Sequence, residues 1–262
     1  MEKSYVSNIK PHKIYKNLYF VGSTAVSVHL IDTPDGLVII DTGYPNMYEQ
    51  ILDSIRYLGF DPANIRHIFH SHGHYDHIGA TIRLKNLSGA KTYISRVDND
   101  IVNGTLDLSW ANEFGVPHLE YFDCDVLVED GDVFTFGDTS IRCRLCPGHT
   151  PGVLSFFITF SDGIVAAMHG GIGMNGLRGD ILRKYGLSFE LRDIFRRDLH
   201  AMASEHVDLV IGNHPHQNGT VKKLALLEAG EDILDREQWQ RLLLSVERDL
   251  DELIEREEEE NK

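Results

Sequence analysis

The sequence predicts an α/β fold of the αββα sandwich class, with two packed mixed β-sheets and helices on their outer faces. Three observations carry that expectation. Short β-rich runs divided by Gly, Asp and Pro turns recur in both halves of the chain. Each half places strands first, then a strand and a helix with histidine at their junction. The helical stretches are apolar along one stripe, as helices lying on a sheet must be. The 262 residues can bury a sizeable core and read as a single domain over 1–262, with an acidic tail from about 255 to 262.

Taken in order, Tyr19-Phe20-Val21, Ser27 to Ile31 and Leu37 to Ile40 form a meander. Gly22 and the turn Thr33-Pro34-Asp35-Gly36 separate its strands. Asp41-Thr42-Gly43 follows at a strand end. Met47 to Leu58 carries Ile51, Leu52, Ile55 and Leu58 on a helical stripe closed by Gly59. Ile65 to Phe69 reads as a buried strand, and Thr81 to Leu84 as the first turns of a helix. Thr92 to Ile94 is a further strand. Asp98 to Phe122 is irregular, with Trp110, Phe114 and Tyr121 spread through it, and a segment of that kind often forms a lid or wall. Asp123 to Gly163 reads as hairpins, with strands at Val126 to Val128, Asp132 to Phe136, Ser140 to Leu145 and Leu154 to Phe160. Ile164 to Ala167 is a buried strand, Phe189 to Ala203 a helix, and Val207 to Ile211 a strand. Asp235 to Gln238 resembles an N-cap with its capping-box partner. It opens a helix with Trp239, Leu242, Leu243, Val246, Leu250 and Leu253 on one face.

The formal charge of −15 argues against a nucleic-acid partner, which needs a basic face. Part of the excess lies in Glu255 to Glu260, read as a solvated, fraying helix end. No run is long and apolar enough to span a bilayer. Met1-Glu2-Lys3-Ser4-Tyr5 shows no export signal, so the chain as given reads as cytoplasmic. Three cysteines make no disulfide framework. Cys143 and Cys146, three apart in a strand-like run, face opposite sides and read as buried thiols. The expected partner is a small-molecule substrate.

Residues 72–77 read His-Gly-His-Tyr-Asp-His, four metal-binding side chains in six positions on a strand-to-helix loop. His72 and His74, two apart in extended chain, point the same way. Asp76 and His77 are adjacent and diverge, which suits a second, neighbouring metal. Imidazoles with one carboxylate favour zinc, with iron, manganese and nickel open. His149, in Pro147-Gly148-His149-Thr150, and His214, in Asn213-His214-Pro215-His216, each follow a strand. Together these residues make an even set. His72, His74 and His149 could form one site with an open fourth position, and Asp76, His77 and His214 a second.

The chain resembles the metallo-β-lactamase superfamily through Asp41-Thr42-Gly43, the hexad, Pro147 to Thr150 and His214, over roughly Ile14 to Glu257. It is most similar to subclass three of the class B enzymes in Val21-Gly22 to Ile31, Glu129 to Asp132, Gly148 to Gly152, and Asp235 to Trp239. The resemblance implies two Zn2+ between the sheets, held by those two groups, with iron or manganese possible. It implies a hydroxide shared by the metals, since coordination lowers a water's pKa from roughly 15.7 to about 7. That hydroxide attacks a strained or activated carbonyl, a β-lactam or lactone ring first. Asp76 is then catalytic as well as a ligand, accepting a hydrogen bond from the nucleophile. Asp41 orients a ligand or the hexad loop from behind, and His216 is a candidate for a similar supporting role.

The pattern breaks at Met168-His169-Gly170-Gly171-Ile172-Gly173. Many superfamily hydrolases carry a metal-bridging aspartate near His169, and subclass three carries serines nearby that hold the substrate carboxylate. His169 is a further catalytic candidate: an extra ligand, a proton donor to the leaving group, or a filled gap. Asn175, Arg178 or Lys184 could replace the serines, and the substrate-binding residues stay open. His67 and His70 read as structural. A thioester hydrolase of the glyoxalase II kind is the nearest alternative. A di-iron oxidoreductase on the same fold is another, but it typically has glutamate where His74 lies.

Overall fold

Apolar runs and their turns build two mixed sheets packed face to face. The computed structural model describes residues 8–116 and 119–260; Met1 to Tyr5, read above for an export signal, and the end of the tail at 261–262 lie outside these. The first sheet runs in chain order through β1 (His12–Tyr15), β2 (Leu18–Phe20), β3 (His29–Thr33), β4 (Gly36–Ile40), β5 (Ile65–Phe69), β6 (Lys91–Ser95) and β7 (Val126–Val128). Its first four strands are antiparallel, and β4 to β7 are parallel. The second holds β8 (Val133–Phe136), β9 (Thr139–Leu145), β10 (Leu154–Thr159), β11 (Val165–Met168) and β12 (Leu209–Val210), in reverse order. Only β11 and β12 are parallel there.

The helices are α1 (Tyr48–Tyr57), α2 (Tyr75–Ile78), α3 (Thr81–Ser88), α4 (Asn99–Val102), α5 (Gly179–Tyr185), α6 (Glu190–Ala203), α7 (Pro215–Asn218), α8 (Thr220–Glu228) and α9 (Gln238–Glu260). Alternate residues of one strand serve two cores. On β4, Val38 and Ile40 enter the layer between the sheets with Phe20, Phe69, Phe156, Ile158 and Met168. Leu37 and Ile39 face outward to Ile51 and Ile55 of α1 and Leu84 of α3. Burial on both faces explains why β4 reads as a continuous apolar run. Phe157 and Ala167 of the second sheet likewise meet Phe195 of α6 and Trp239, Leu243, Val246 and Leu250 of α9. The Trp239 indole donates to the Met202 carbonyl at 2.9 Å, joining α9 to α6. Cys143 lies in the layer between the sheets and Cys146 in the helix-facing one, so the two thiols stand on opposite sides as expected.

Several expectations need correction. Val126–Val128 is no hairpin partner of β8: it pairs in parallel with β6, and the chain then crosses to the other sheet. Gln238 does not cap α9 by reaching back; its amide donates to the Asn218 carbonyl at 3.1 Å. The acidic end does not fray freely, since α9 stays helical to Glu260 and Glu257 accepts the Gly179 N–H at 2.7 Å and the Arg192 guanidinium. Strand β1 and helices α5, α7 and α8 carried no sequence signal strong enough to predict. Among the described residues, no helix is long and apolar enough to cross a membrane.

Candidate metal centre

Strand β5 ends at Phe69, and the chain bends at Ser71 and Gly73 before His74, which sits at the N-cap of the single-turn α2. His72 Nε2 and His74 Nδ1 consequently lie 3.1 Å apart. Asp76 and His77 belong to the first turn of α2 rather than to a loop, and their side chains converge rather than diverge. His77 Nε2 is 3.5 Å from Asp76 Oδ2. His149 follows β9 from the second sheet and closes on the first pair, its ring centroid 4.8 Å from that of His72 and 4.5 Å from that of His74. His214, after β12, brings Nε2 to 3.7 Å from Asp76 Oδ2. Two groups result, His72-His74-His149 and Asp76-His77-His214, the ligand atoms of each lying within 4.8 Å of one another.

The rings of His72, His77, His149 and His214 are each turned by a partner on Nδ1. His149 Nδ1 meets the Gly173 carbonyl at 2.7 Å, and His214 Nδ1 meets the Ala25 carbonyl at 2.7 Å. Each Nδ1 therefore donates, leaving an Nε2 lone pair for the site. Asp41 Oδ2 holds His77 Nδ1 at 2.8 Å and the Ser71 hydroxyl at 2.8 Å, while Oδ1 accepts the Ser71 N–H at 2.7 Å. One buried carboxylate thus orients both His77 and the hexad loop, from a left-handed backbone at φ 59°.

Burial sets the charge states. It holds His72 and His74 well below the ordinary histidine range, helped by neighbouring imidazoles, and takes His149 down to about 4. His214 is lowered for the same reason. For His77 burial acts downward too, but the Asp76 and Asp41 carboxylates outweigh it and raise its affinity for a proton. His77 Nε2 is buried with no hydrogen-bond partner among the described residues. A buried nitrogen left so, facing a carboxylate and a second imidazole, fits a divalent cation.

Residues 21–191 match the family model of the metallo-beta-lactamase superfamily. The chain belongs to that superfamily. BJP-1, a subclass B3 metallo-beta-lactamase of Bradyrhizobium japonicum, has the same fold: TM-score 0.85 over 99% of this chain and 99% of that one, at 24% identity. Hydroxyacylglutathione hydrolase GloC of Haemophilus influenzae is 28% identical over 156 residues, which cover 57% of this chain and 70% of that protein. N-acyl homoserine lactonase AttM of Rhizobium johnstonii is 27% identical over 162 residues, covering 51% of this chain and 59% of the lactonase.

The glycines after His169 have a steric reason. A Cβ on Gly171 would stand 2.8 Å from His149 Cβ, and one on Gly176 2.1 Å from the His149 carbonyl oxygen. The segment is the bed on which His149 lies. His169 itself joins neither metal-binding group. It is 2% exposed, its ring edges onto Phe195 at 5.8 Å, and its Nδ1 accepts the Gly171 N–H at 3.2 Å. Burial, with His149 nearby, pushes it down to about 3. His216 is exposed, with its ring 5.7 Å from that of His214. It lines a cleft of about 930 Å³ between α9 and residues 172–183, together with Asn175 and Arg178. The Arg178 guanidinium is bidentate to Asp180, and Lys184 binds Glu113 at 2.6 Å. His67 lies 2.8 Å from the Tyr93 hydroxyl and His70 3.3 Å from that of Thr81.

Sequence reasoning missed Asp98. Its buried Oδ2 accepts the Gly73 N–H at 2.9 Å and the Thr150 hydroxyl at 2.6 Å, joining the hexad loop to the His149 loop. Its only sequence signal is an acidic residue just beyond a strand at the edge where the other groups gather.

Proposed function

We propose that this protein is a hydrolase that holds two zinc ions and opens a strained or activated carbonyl, a β-lactam or lactone ring foremost. The observation that carries the reading is the pair of three-residue groups, each lying within 4.8 Å and each drawing on both sheets. In it, His72 Nε2, His74 Nδ1 and His149 Nε2 hold one ion, and Asp76 Oδ2, His77 Nε2 and His214 Nε2 hold the other. When bound, such ions supply Lewis acidity at the carbonyl oxygen and acidify water from roughly 15.7 to about 7.

The chain's own groups do the rest. Neutral imidazoles at His72, His74, His149 and His214 offer lone pairs at neutral pH because burial suppresses their protonation. The Gly173 and Ala25 carbonyls fix the tautomers of His149 and His214. Asp41 increases the basicity of His77 and keeps its ring aimed inward. Asp76, with one oxygen turned to His77 and His214, keeps the other to accept a hydrogen bond from the attacking water. His169, buried against Phe195 and held neutral, is assigned to the floor beneath His149 and not to proton transfer. His216 backs His214 from the cleft side.

A thioester substrate is the second reading, favoured by the 28% identity to the hydroxyacylglutathione hydrolase. The test is metal analysis of the purified protein with a panel of β-lactams, lactones and thioesters. Two transition metals per chain are expected, with turnover abolished by chelation and restored by zinc. Less than one metal per chain with no turnover rescued by zinc rejects the reading, and the panel ranks the three substrate classes.

A further inference from the structure

His214 follows a strand of the second sheet, yet the first sheet holds it in place. Strand β12 ends at Val210, and the Ile211 N–H still donates to the Ala167 carbonyl of β11 at 2.8 Å. Beyond Ile211 the chain crosses the seam. The Gly212 carbonyl meets His29 Nε2 at 3.1 Å, the Asn213 carbonyl accepts the Ser27 N–H at 2.9 Å, and His214 Nδ1 meets the Ala25 carbonyl at 2.7 Å. Three successive residues after β12 thus bind three alternate residues of the stretch that leads into β3. Asn213 also reaches back, its amide donating to the Gly170 carbonyl at 2.6 Å.

The three rungs differ in kind. Ala25 and Ser27 contribute backbone atoms, which other residues at those positions would also offer. At His29 the chain has entered β3, whose backbone is committed to Phe20 of β2 and Ile40 of β4. Only a side chain can reach Gly212 from there. The ring is 1% exposed and lies on the inner face of β3 with Ile31, while Leu30 joins the outer layer with Ile51 of α1. A polar group set in an apolar layer costs free energy unless it is hydrogen-bonded. Burial takes His29 down to about 4, so the ring is neutral, with its one proton on Nε2 donated to the Gly212 carbonyl. Its Nδ1 has no hydrogen-bond partner among the described residues. The same register level serves both imidazoles of the Asp76 group. Ile40 pairs with His29 and is followed by Asp41, which holds His77 Nδ1 at 2.8 Å. The β3–β4 pair therefore supports His77 from one strand and the approach to His214 from the other.

We propose that His29 is a positioning residue for the Asp76-His77-His214 group, its hydrogen bond to Gly212 setting where His214 stands opposite Asp76 and His77. This rests on the metallo-hydrolase reading, and the test separates the two. Zinc is titrated calorimetrically into chelator-treated protein, and the binding step lost in His214→Ala marks the Asp76-His77-His214 group. His29→Leu keeps the position apolar and removes the donor. It should weaken that step by about 10–100-fold and leave the three-histidine step within about threefold of its unaltered value. His29→Gln brings an amide N–H close to the place of Nε2 and should restore most of the loss. Equal weakening of both steps in His29→Leu, or no change in either, overturns the proposal. So does His29→Gln protein as weak as His29→Leu, since packing and not the hydrogen bond would then be responsible. If the unaltered protein takes up no zinc, the metal-centre reading fails and takes this proposal with it. Because the two steps are compared within one variant, partial loss of folded protein reduces both amplitudes and leaves the ratio of affinities readable.

Discussion

At Asp98 a single buried carboxylate sets the distance between the two loops that present His72, His74 and His149. Burial pushes this group up to about 6, so near pH 7.5 it is ionised and its bonds to Gly73 and Thr150 are charge-assisted. Asp98→Asn keeps the volume but removes the charge, so the bonds from Gly73 and Thr150 lose their charge assistance even where the amide oxygen takes the place of Oδ2. Zinc affinity at the three-histidine group should drop by about 10–100-fold with secondary structure unchanged, read by chelator competition and circular dichroism. An unchanged affinity would show that Thr150 and Gly73 hold their places without it. The contrast with Asp41 explains what was legible at this scale. Asp41 sits in Asp41-Thr42-Gly43 at a strand end and was read as an orienting group. Asp98 acts across 25 residues to Gly73 and 52 to Thr150, and no local pattern encodes such a pairing. His72 and His74 were legible because their spacing is itself the geometry, whereas the turn of α2 brings Asp76 and His77 together where extended spacing had them diverge.

Helix α9 carries the same lesson at the scale of an element. Its apolar stripe identified the buried face through Trp239, Leu243, Val246, Leu250 and Leu253. Its acidic end, read as solvated, in fact ties down the segment that supports His149. Glu257 accepts from Gly179 and from Arg192, and Arg192 Nε donates to the Leu177 carbonyl at 2.8 Å. Four residues before Leu177, the Gly173 carbonyl holds His149. Charge runs look alike in sequence whether solvated or paired, and the partner here lies 65 residues away. Glu257→Ala leaves the nearly buried Arg192 guanidinium short of its counter-charge. It should cost roughly 1–3 kcal/mol, less than for a fully enclosed pair because Glu257 retains some access to water. Urea unfolding measures that loss. A cost below about 0.5 kcal/mol would mean that the Leu177 carbonyl alone satisfies Arg192.

Across the whole molecule, the sandwich was legible because burial of strands on both faces and one-striped helices leave few other arrangements. The partner of β7 was not, since a three-residue apolar strand fits either sheet edge equally well. The sandwich also makes the metal groups a structural joint. His72 and His74 come from the end of β5 in one sheet and His149 from beyond β9 in the other; Asp76 and His77 meet His214 across the same seam. A cation bound at either group ties the sheets together, and no such site survives in the unfolded chain. Removing it also leaves the buried imidazoles of His72, His74 and His77 and the half-buried one of His149 packed against one another, with ring centroids 4.2–4.8 Å apart. Binding to the folded state alone stabilises by RT ln(1 + [L]/Kd), about 4 kcal/mol for free zinc at a thousand times Kd. Zinc-loaded protein should therefore unfold at clearly higher temperature than chelator-treated protein. The gap should grow with free zinc and shrink as pH falls, first at the Asp76 group, where His77 takes a proton above the ordinary histidine range, and at the three-histidine group only toward about 4, where His149 protonates. His149→Ala and His214→Ala should each remove part of this gap, because each opens a different group. A melting temperature indifferent to zinc would mean that neither group binds it across the seam.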